Sequence, residues 1–240
     1  MKEKLKQKAQ QCFRFDGSTY LEIINDDSVL DQEFTIAVWI KLFSDKIHTI
    51  FDKYDHQNQK GILLQVVPVR KGTGVLQLTL GNRKFRGKHP VDIRKEVEWD
   101  YVGVSFKNRK KDGVRFFGAG FVDDKHSSYF GVGNVSLPIL LGKQREKEEN
   151  YMNGMIDNLS VWKKALTDVE LSSIMYSMMG GKEDGLVAFF DFDDRTDSFL
   201  DSSGRKMEAH VKGNRHMSSC LNKPFKIEPC KKKHVQRIKP

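Results

Sequence analysis

Residues 151–171, Tyr-Met-Asn-Gly-Met-Ile-Asp-Asn-Leu-Ser-Val-Trp-Lys-Lys-Ala-Leu-Thr-Asp-Val-Glu-Leu, combine a glycine entry, a short strand with a carboxylate in it, and a capped helix. Gly154 suits either a positive φ or a close backbone approach at the start of a strand. Alternation with period two then places Met155, Asp157, Leu159 and Val161 on one face. A carboxylate among apolar residues is costly unless it is hydrogen-bonded, paired or bound to a cation, so Asp157 reads as a hydrogen-bond hub or a cation ligand. Thr167 and Glu170 have the spacing of a capping box, which predicts a helix over about 168–178 whose Val169, Leu171, Ile174 and Met175 pack on a sheet; Gly180 and Gly181 stop it.

Most of the remaining chain reads as strands. Phe34, Ile36, Val38 and Ile40 alternate with Thr35, Ala37, Trp39 and Lys41, the pattern of a half-buried strand. Shorter apolar runs occur at 49–52, 62–67, 75–80, 101–106, 114–122 and 137–141, separated by turn signals such as Gly72-Thr-Gly74, Gly81-Asn82 and Asp112-Gly113. About a dozen short strands with one helix predict two antiparallel sheets packed face to face, a jelly-roll sandwich.

At 240 residues and 38% hydrophobic content the chain suits one large all-β domain, and no apolar run approaches the ~20 residues of a membrane span. The net charge of +9 sits in the tails: residues 1–11 carry +3 and residues 220–240 carry +6, leaving 12–219 neutral. The predicted organisation is therefore a basic extension over 1–11, a sandwich over 12–219 and a basic tail over 220–240. The tails suit solvent or an acidic partner, and a nucleic-acid partner is not indicated. The opening Met-Lys-Glu-Lys-Leu-Lys-Gln-Lys lacks an apolar signal core, which fits an intracellular protein or a piece of a longer secreted precursor. Cys220 and Cys230 could bridge; an odd count of three cysteines fits reduced thiols equally well. Asn134-Val-Ser136 and Asn158-Leu-Ser160 match the glycosylation acceptor pattern.

The 151–171 stretch resembles the laminin-G-like modules of the concanavalin A-like lectin/glucanase superfamily, in which a Gly-x-Ile-Asp-x-Leu/Val-x-Val strand precedes an Ala-Leu-Ser/Thr helix. Phe15–Ile23, Glu33–Lys41, Glu98–Ser105 and Leu140-Leu141-Gly142 match further strands of that family. The resemblance spans about Cys12 to Met179 and implies the concanavalin A-like sandwich, a fold that hosts lectins, protein binders and hydrolases alike. Residues 185–212, with Gly185-Leu-Val-Ala-Phe-Phe-Asp and Asp201-Ser-Ser-Gly204, follow the closing helix. They read as the last strands of the same domain or as the start of another.

Three kinds of site chemistry follow. The hydrolase branch places acids at Glu-x-Asp-x-x-Glu on one strand, where two carboxyls flank the scissile bond. Here Glu98-Trp-Asp100-Tyr-Val-Gly103 has glycine in the third place, so the chain reads as a non-catalytic binder. The resemblance implies one structural Ca2+ where the first strand meets the last, held by Asp16, Gly17 and Asp157. From the residues alone, Asp16 equally suits an Asx-turn, with Asp157 accepting backbone N–H groups. For a ligand, Asp52, Tyr54 and Asn58 in the Phe51–Asn58 segment suit hydroxyl recognition, and Trp39 suits stacking on a sugar ring or filling of the core. The expected function is a recognition module for a glycan or protein partner in an adhesive or multi-component assembly, with a structural subunit of an intracellular complex as the alternative.

Overall fold

A computed structural model describes residues 11–24, 30–93, 99–118, 121–176, 179–193 and 198–213. The tail residues, including Cys220 and Cys230, lie outside them. Two antiparallel sheets pack face to face. The first has the order β1 (Phe13–Asp16), β14 (Asn153–Trp162), β3 (Glu33–Leu42), β8 (Asp100–Lys107), β9 (Val114–Gly118), β10 (Phe121–His126), and β15 (Leu186–Phe190) shares an edge of β14 with β1. The second has the order β16 (Ser198–Leu200), β17 (Glu208–Lys212), β2 (Tyr20–Ile24), β11 (Ile139–Leu141), β4 (His48–Asp55), β5 (Lys60–Arg70), β6 (Thr73–Leu80), β7 (Arg83–Asp92). A hairpin of β12 (Lys143–Gln144) and β13 (Lys147–Tyr151) stands apart, and α1 spans Asp168–Tyr176. This is the concanavalin A-like jelly roll.

The period-two pattern decides which side chains meet between the sheets. Phe34, Ile36, Val38 and Ile40 of β3 join Val102, Val104 and Phe106 of β8 and Ile62, Leu64 and Val66 of β5 in the main core. Residues 186–212 belong to both layers: β15 pairs with β14 and β17 pairs with β2. Asp201 holds this segment together. Its Oδ1 accepts the Phe189 and Ser203 N–H groups at 2.8 Å, and its Oδ2 accepts the Ser203 hydroxyl at 2.5 Å and the Arg205 N–H at 3.2 Å.

The outward face of the seven-stranded sheet carries a second apolar cluster. Ala37, Trp39, Tyr101, Phe117 and Trp162 pack under Leu166, Leu171 and Met175 from α1 and its approach. The capping box forms reciprocally: the Thr167 N–H and hydroxyl donate to Glu170 Oε2 at 2.7 and 2.8 Å, while the Glu170 N–H donates to Thr167 Oγ1 at 3.3 Å. Lys164 adds an ion pair to Glu170 at 2.8 Å and, with the Thr167 N–H, holds that carboxyl at a pKa of about 2. Leu171 and Met175 pack as the pattern predicts, and Ile174 lies against the cluster. Val169 differs: it is 80% exposed, because the sheet takes only one side of a nine-residue helix.

The face assigned to Asp157 also differs. A bulge between Asp157 and Ser160, with Asn158 at φ 47°, inserts one residue into β14. Ile156, Leu159 and Val161 therefore face the main core, whereas Asp157, across from Trp39 on β3, stays on the outward side. Gly154 meets the expectation by close approach: a Cβ there would lie 2.3 Å from the Lys41 carbonyl oxygen.

Candidate binding surface

With α1 covering the other outward face, the outward face of the eight-stranded sheet is open toward β7, where Gln77 is half-buried and Lys84 and Arg86 are exposed, while Thr49, Asp52, Leu63, Gln65, Thr79 and Leu140 are buried. One cross-strand row on it runs through all eight strands: Ser198, His210, Glu22, Leu140, Asp52, Leu63, Thr79 and Lys84. A second row crosses four strands as Thr49, Gln65, Gln77 and Arg86. The strands alternate, so that Ile62, Leu64, Val66, Leu76, Leu78 and Leu80 fill the core while amides, hydroxyls and basic groups face outward.

The β12–β13 hairpin folds over the middle of this surface and is tied to it by amide hydrogen bonds. Gln65 Nε2 donates to Thr49 Oγ1 at 3.0 Å and to Gln144 Oε1 at 3.1 Å, and Asn150 Nδ2 donates to the same Gln144 oxygen at 2.6 Å. Asp52 anchors the hairpin's turn. Its Oδ1 accepts the Tyr54 N–H at 2.9 Å and its Oδ2 accepts the Arg145 N–H at 2.8 Å, while an Arg145 guanidinium nitrogen donates to the Pro138 carbonyl at 2.6 Å. Burial pushes the Asp52 carboxyl above the usual range, and the N–H groups of Arg145 and Tyr54 only partly offset it.

The four residues predicted to contact a ligand are not brought together. Trp39 lies on the opposite outward face, 8% exposed, with its ring 5.0 Å from that of Tyr101 in the cluster under α1. It fills the second core, because a large ring between Ala37 and Tyr101 is better buried than presented. Asp52 and Tyr54 share β4, yet both are buried and occupied within the protein; the Tyr54 hydroxyl donates to the Gly81 carbonyl at 2.6 Å. Asn58 is exposed and shapes the β4–β5 turn, its Nδ2 and backbone N–H donating to the Asp55 carboxylate at 2.7 and 3.0 Å.

The predicted calcium set does not fit one ion. Asp16 pairs with Asn153, whereas Asp157 lies four residues farther along β14, about 13 Å at strand spacing. Calcium holds its oxygens at about 2.3–2.6 Å, so the two carboxylates cannot share it. Asp16 Oδ1 instead accepts the Ser18 N–H, the Ser18 hydroxyl and the Thr19 N–H at 2.8–2.9 Å, capping the turn in which Gly17 takes φ 91°. Burial would raise the Asp16 pKa, but those hydrogen bonds outweigh it and hold the carboxyl low. Asp157 Oδ1 accepts the Asn158 N–H at 2.9 Å across the bulge. Among the described residues no group of three or more His, Cys, Asp or Glu side chains is placed to hold a metal.

Residues that do build the surface were readable in part. Gln65 and Gln77 each interrupt an otherwise apolar run at a position whose neighbours two residues away also face outward. Gln144 and Arg145 sit in a charge-rich stretch, 143–150, that reads as an exposed loop; its pairing to the sheet depends on Asp52 and Gln65, far away in sequence.

The two-sheet order, the sheet-covering helix and the glycine-entry strand are accompanied by a match of residues 15–172 to the Laminin_G_3 family model, described as the concanavalin A-like lectin/glucanases superfamily. The chain belongs to this superfamily. Among solved structures, it resembles a putative carbohydrate binding protein from Bacteroides ovatus with a TM-score of 0.69 and 16% identity, over 89% of this chain and 60% of that one. It thus spans about three-fifths of that protein's length. A heptameric SAP-like pentraxin from Limulus polyphemus matches with a TM-score of 0.61 and 15% identity, over 85% of this chain and 96% of that one. Domains LG4-5 of the mouse laminin alpha1 chain match with a TM-score of 0.50 and 13% identity, over 66% of this chain and 43% of that one. At these identities the likeness concerns the fold. No curated protein sequence matches the chain.

Proposed function

We propose that this chain is a non-catalytic recognition module that binds a glycan on the outward face of its eight-stranded sheet, on the flank toward β7 around Gln77, Lys84 and Arg86. The observation that carries the reading is the polar lining of that face. The Gln77 amide and the exposed Lys84 and Arg86 side chains, on outward positions of neighbouring strands, suit the acceptors and donors of sugar hydroxyls, and the Gln144 hairpin gives the surface a wall. The Bacteroides ovatus protein, described as carbohydrate binding, is in keeping with this reading. Against catalysis stands β8, the strand that would carry the acids. Its outward side is packed with Tyr101 against Phe117, and a Cβ on Gly103 would lie 2.2 Å from the Ile36 carbonyl oxygen and 2.3 Å from Phe117 Cζ. No third acid fits there, and Glu98 lies outside the described residues.

A glycan array probed with the full chain, with and without calcium, tests this. The expected outcome is binding to a defined sugar class that weakens about tenfold in Gln77→Ala, the worth of one or two hydrogen bonds. Silence across the array, or binding unaffected by Gln77→Ala and Arg86→Ala together, would move the module to protein recognition or to another face.

A further inference from the structure

A histidine is sealed into the corner where the chain crosses between the two sheets. Residues 43–47 carry the chain from β3 in the seven-stranded sheet to β4 in the eight-stranded sheet, and His48 opens β4 with no exposed surface. Its Nε2 lies 2.7 Å from the Ser44 carbonyl oxygen, and its Nδ1 lies 3.2 Å from the backbone nitrogen of Asn153. A carbonyl oxygen only accepts and a backbone N–H only donates, so the two partners fix the neutral tautomer, with the proton on Nε2 and the lone pair on Nδ1. The ring thereby joins the crossover to the first residue of β14.

Asn153 is also where the β12–β13 hairpin is hung. β13 ends at Tyr151, the Met152 N–H closes the base of the hairpin on the Gly142 carbonyl at 2.8 Å, and the Asn153 carbonyl accepts the Phe43 N–H at 3.0 Å. The turn of the hairpin is held separately, through Asp52 and Gln65. A second proton on His48 finds no acceptor. An Nδ1–H would point at the Asn153 N–H, donor against donor, and would cost that N–H its bond. Asp45, in the same connection, is the carboxylate whose field favours a charged ring, but it is exposed and its Oδ1 accepts the Gly72 N–H at 2.8 Å; Lys46 beside it is exposed too. From the other elements, β5 presents Val66, β1 brings Asp16 with its carboxylate taken up by Ser18 and Thr19, and Tyr151 turns to Tyr20 and Lys143. Burial outweighs the Ser44 bond and Asp45, and it holds the imidazole below its ordinary value of 6.5.

We propose that His48 is a proton-operated latch on the base of the β12–β13 hairpin: a proton taken from solvent onto Nδ1 breaks the bond to Asn153 and frees the junction between β13 and β14. The Nε2–H bond to Ser44 survives, so the break is confined to the hairpin side. Its consequence rests on the reading of the chain as a glycan-recognition module, because the hairpin is the wall of the proposed surface. Mild acid loosens that wall and lowers affinity.

Amide hydrogen exchange on the full chain from pH 8 down to pH 5, corrected for the intrinsic chemistry of exchange, tests the latch. Opening of the Asn153 amide coupled to one proton on His48 should be independent of pH above about 6.5, and its opening constant should rise about tenfold for each unit of pH below that. His48→Gln offers a donor and an acceptor but takes up no proton, and its opening constant should stay flat throughout. Ring 15N shifts of the unaltered protein give a second reading that needs no variant: the Nε2–H tautomer at neutral pH, with the ring titration and the Asn153 amide shift moving together in acid. An Asn153 opening constant that does not change with pH, or one that rises equally in His48→Gln, would overturn the proposal. A ring that titrates while the Asn153 amide stays still would overturn it as well. Silence on the glycan array at both ends of the pH range, with the proton-coupled opening intact, would end the glycan reading and leave the latch standing.

Discussion

Asp52 should act as the anchor of the binding surface, with replacement costing stability and loosening the hairpin. Its two oxygens accept the Tyr54 and Arg145 N–H groups at 2.9 and 2.8 Å. Hydrogen bonds to a charged acceptor contribute roughly 1.5–3 kcal/mol each, and an orphaned buried N–H costs about 1–3 kcal/mol. Part of this is offset, because burial of the carboxylate is itself unfavourable and raises its pKa. A net loss of about 2 kcal/mol follows for Asp52→Ala, or roughly 4–8 °C in Tm for a chain of this size. Asp52→Asn keeps the Tyr54 bond but points an NH2 group at the Arg145 N–H, and should cost about 1 kcal/mol. The sign with pH is distinctive. A carboxyl whose folded pKa is raised contributes stability that is present below its unfolded value near 3.8 and lost as pH rises through the folded value. The stability gap between wild type and Asp52→Asn should therefore narrow between pH 4 and pH 7, measured by urea unfolding. A gap that widens with pH would mean a stabilising, depressed carboxylate and would refute the account.

Asp201→Ala removes four hydrogen bonds, one tying β15 to the turn between β16 and β17 and three within that turn, and orphans the buried Phe189 N–H, so it should cost about 3 kcal/mol in urea unfolding, with Asp201→Asn near half of that. Glu170→Gln should cost under about 1 kcal/mol at neutral pH, since its partners are exposed. With the folded pKa depressed to about 2 from 4.5, that contribution is present above the unfolded value and lost as pH falls toward 2, so acid unfolding curves of the two proteins should converge there. Trp39→Ala should cost about 3–5 kcal/mol as a core truncation while leaving saccharide affinity of the folded fraction unchanged; lost affinity at full stability would return Trp39 to the binding site.

What was legible in the sequence is what local periodicity encodes. The 34–41 alternation placed Phe34, Ile36, Val38 and Ile40 in the core and Trp39 on the far side, and Thr167 with Glu170 placed the helix start. β7 was missed because Arg-Lys-Phe-Arg-Gly-Lys-His-Pro has no apolar alternation; as an edge strand it buries little and tolerates charge and Pro90. The run 114–122 divides into β9 and the start of β10. Asp157 was assigned to the wrong face because one inserted residue reverses period-two counting, and nothing local in Asp-Asn-Leu-Ser marks the bulge. Candidate ligand residues were chosen by type, but whether Asp52 faces a ligand or a backbone N–H depends on Arg145, 93 residues away.

The same dependence on distant partners explains how the sandwich assigns its two faces. On the seven-stranded sheet, Trp39, Tyr101 and Trp162 turn outward at alternate positions, an apolar surface that water would penalise by roughly 25 cal/mol per Å2. The chain answers with Leu166, Leu171 and Met175, so that face is covered by the protein's own helix. On the eight-stranded sheet, the outward positions toward β7 carry Gln77, Lys84 and Arg86, whose burial under a helix would strand their hydrogen-bonding groups. Only a small polar hairpin settles there, satisfied through Gln144, and the surface toward β7 stays available. Moving Gln77 or Arg86 to an apolar residue should therefore weaken binding with little cost to the fold, whereas the same change at Leu171 should do the reverse.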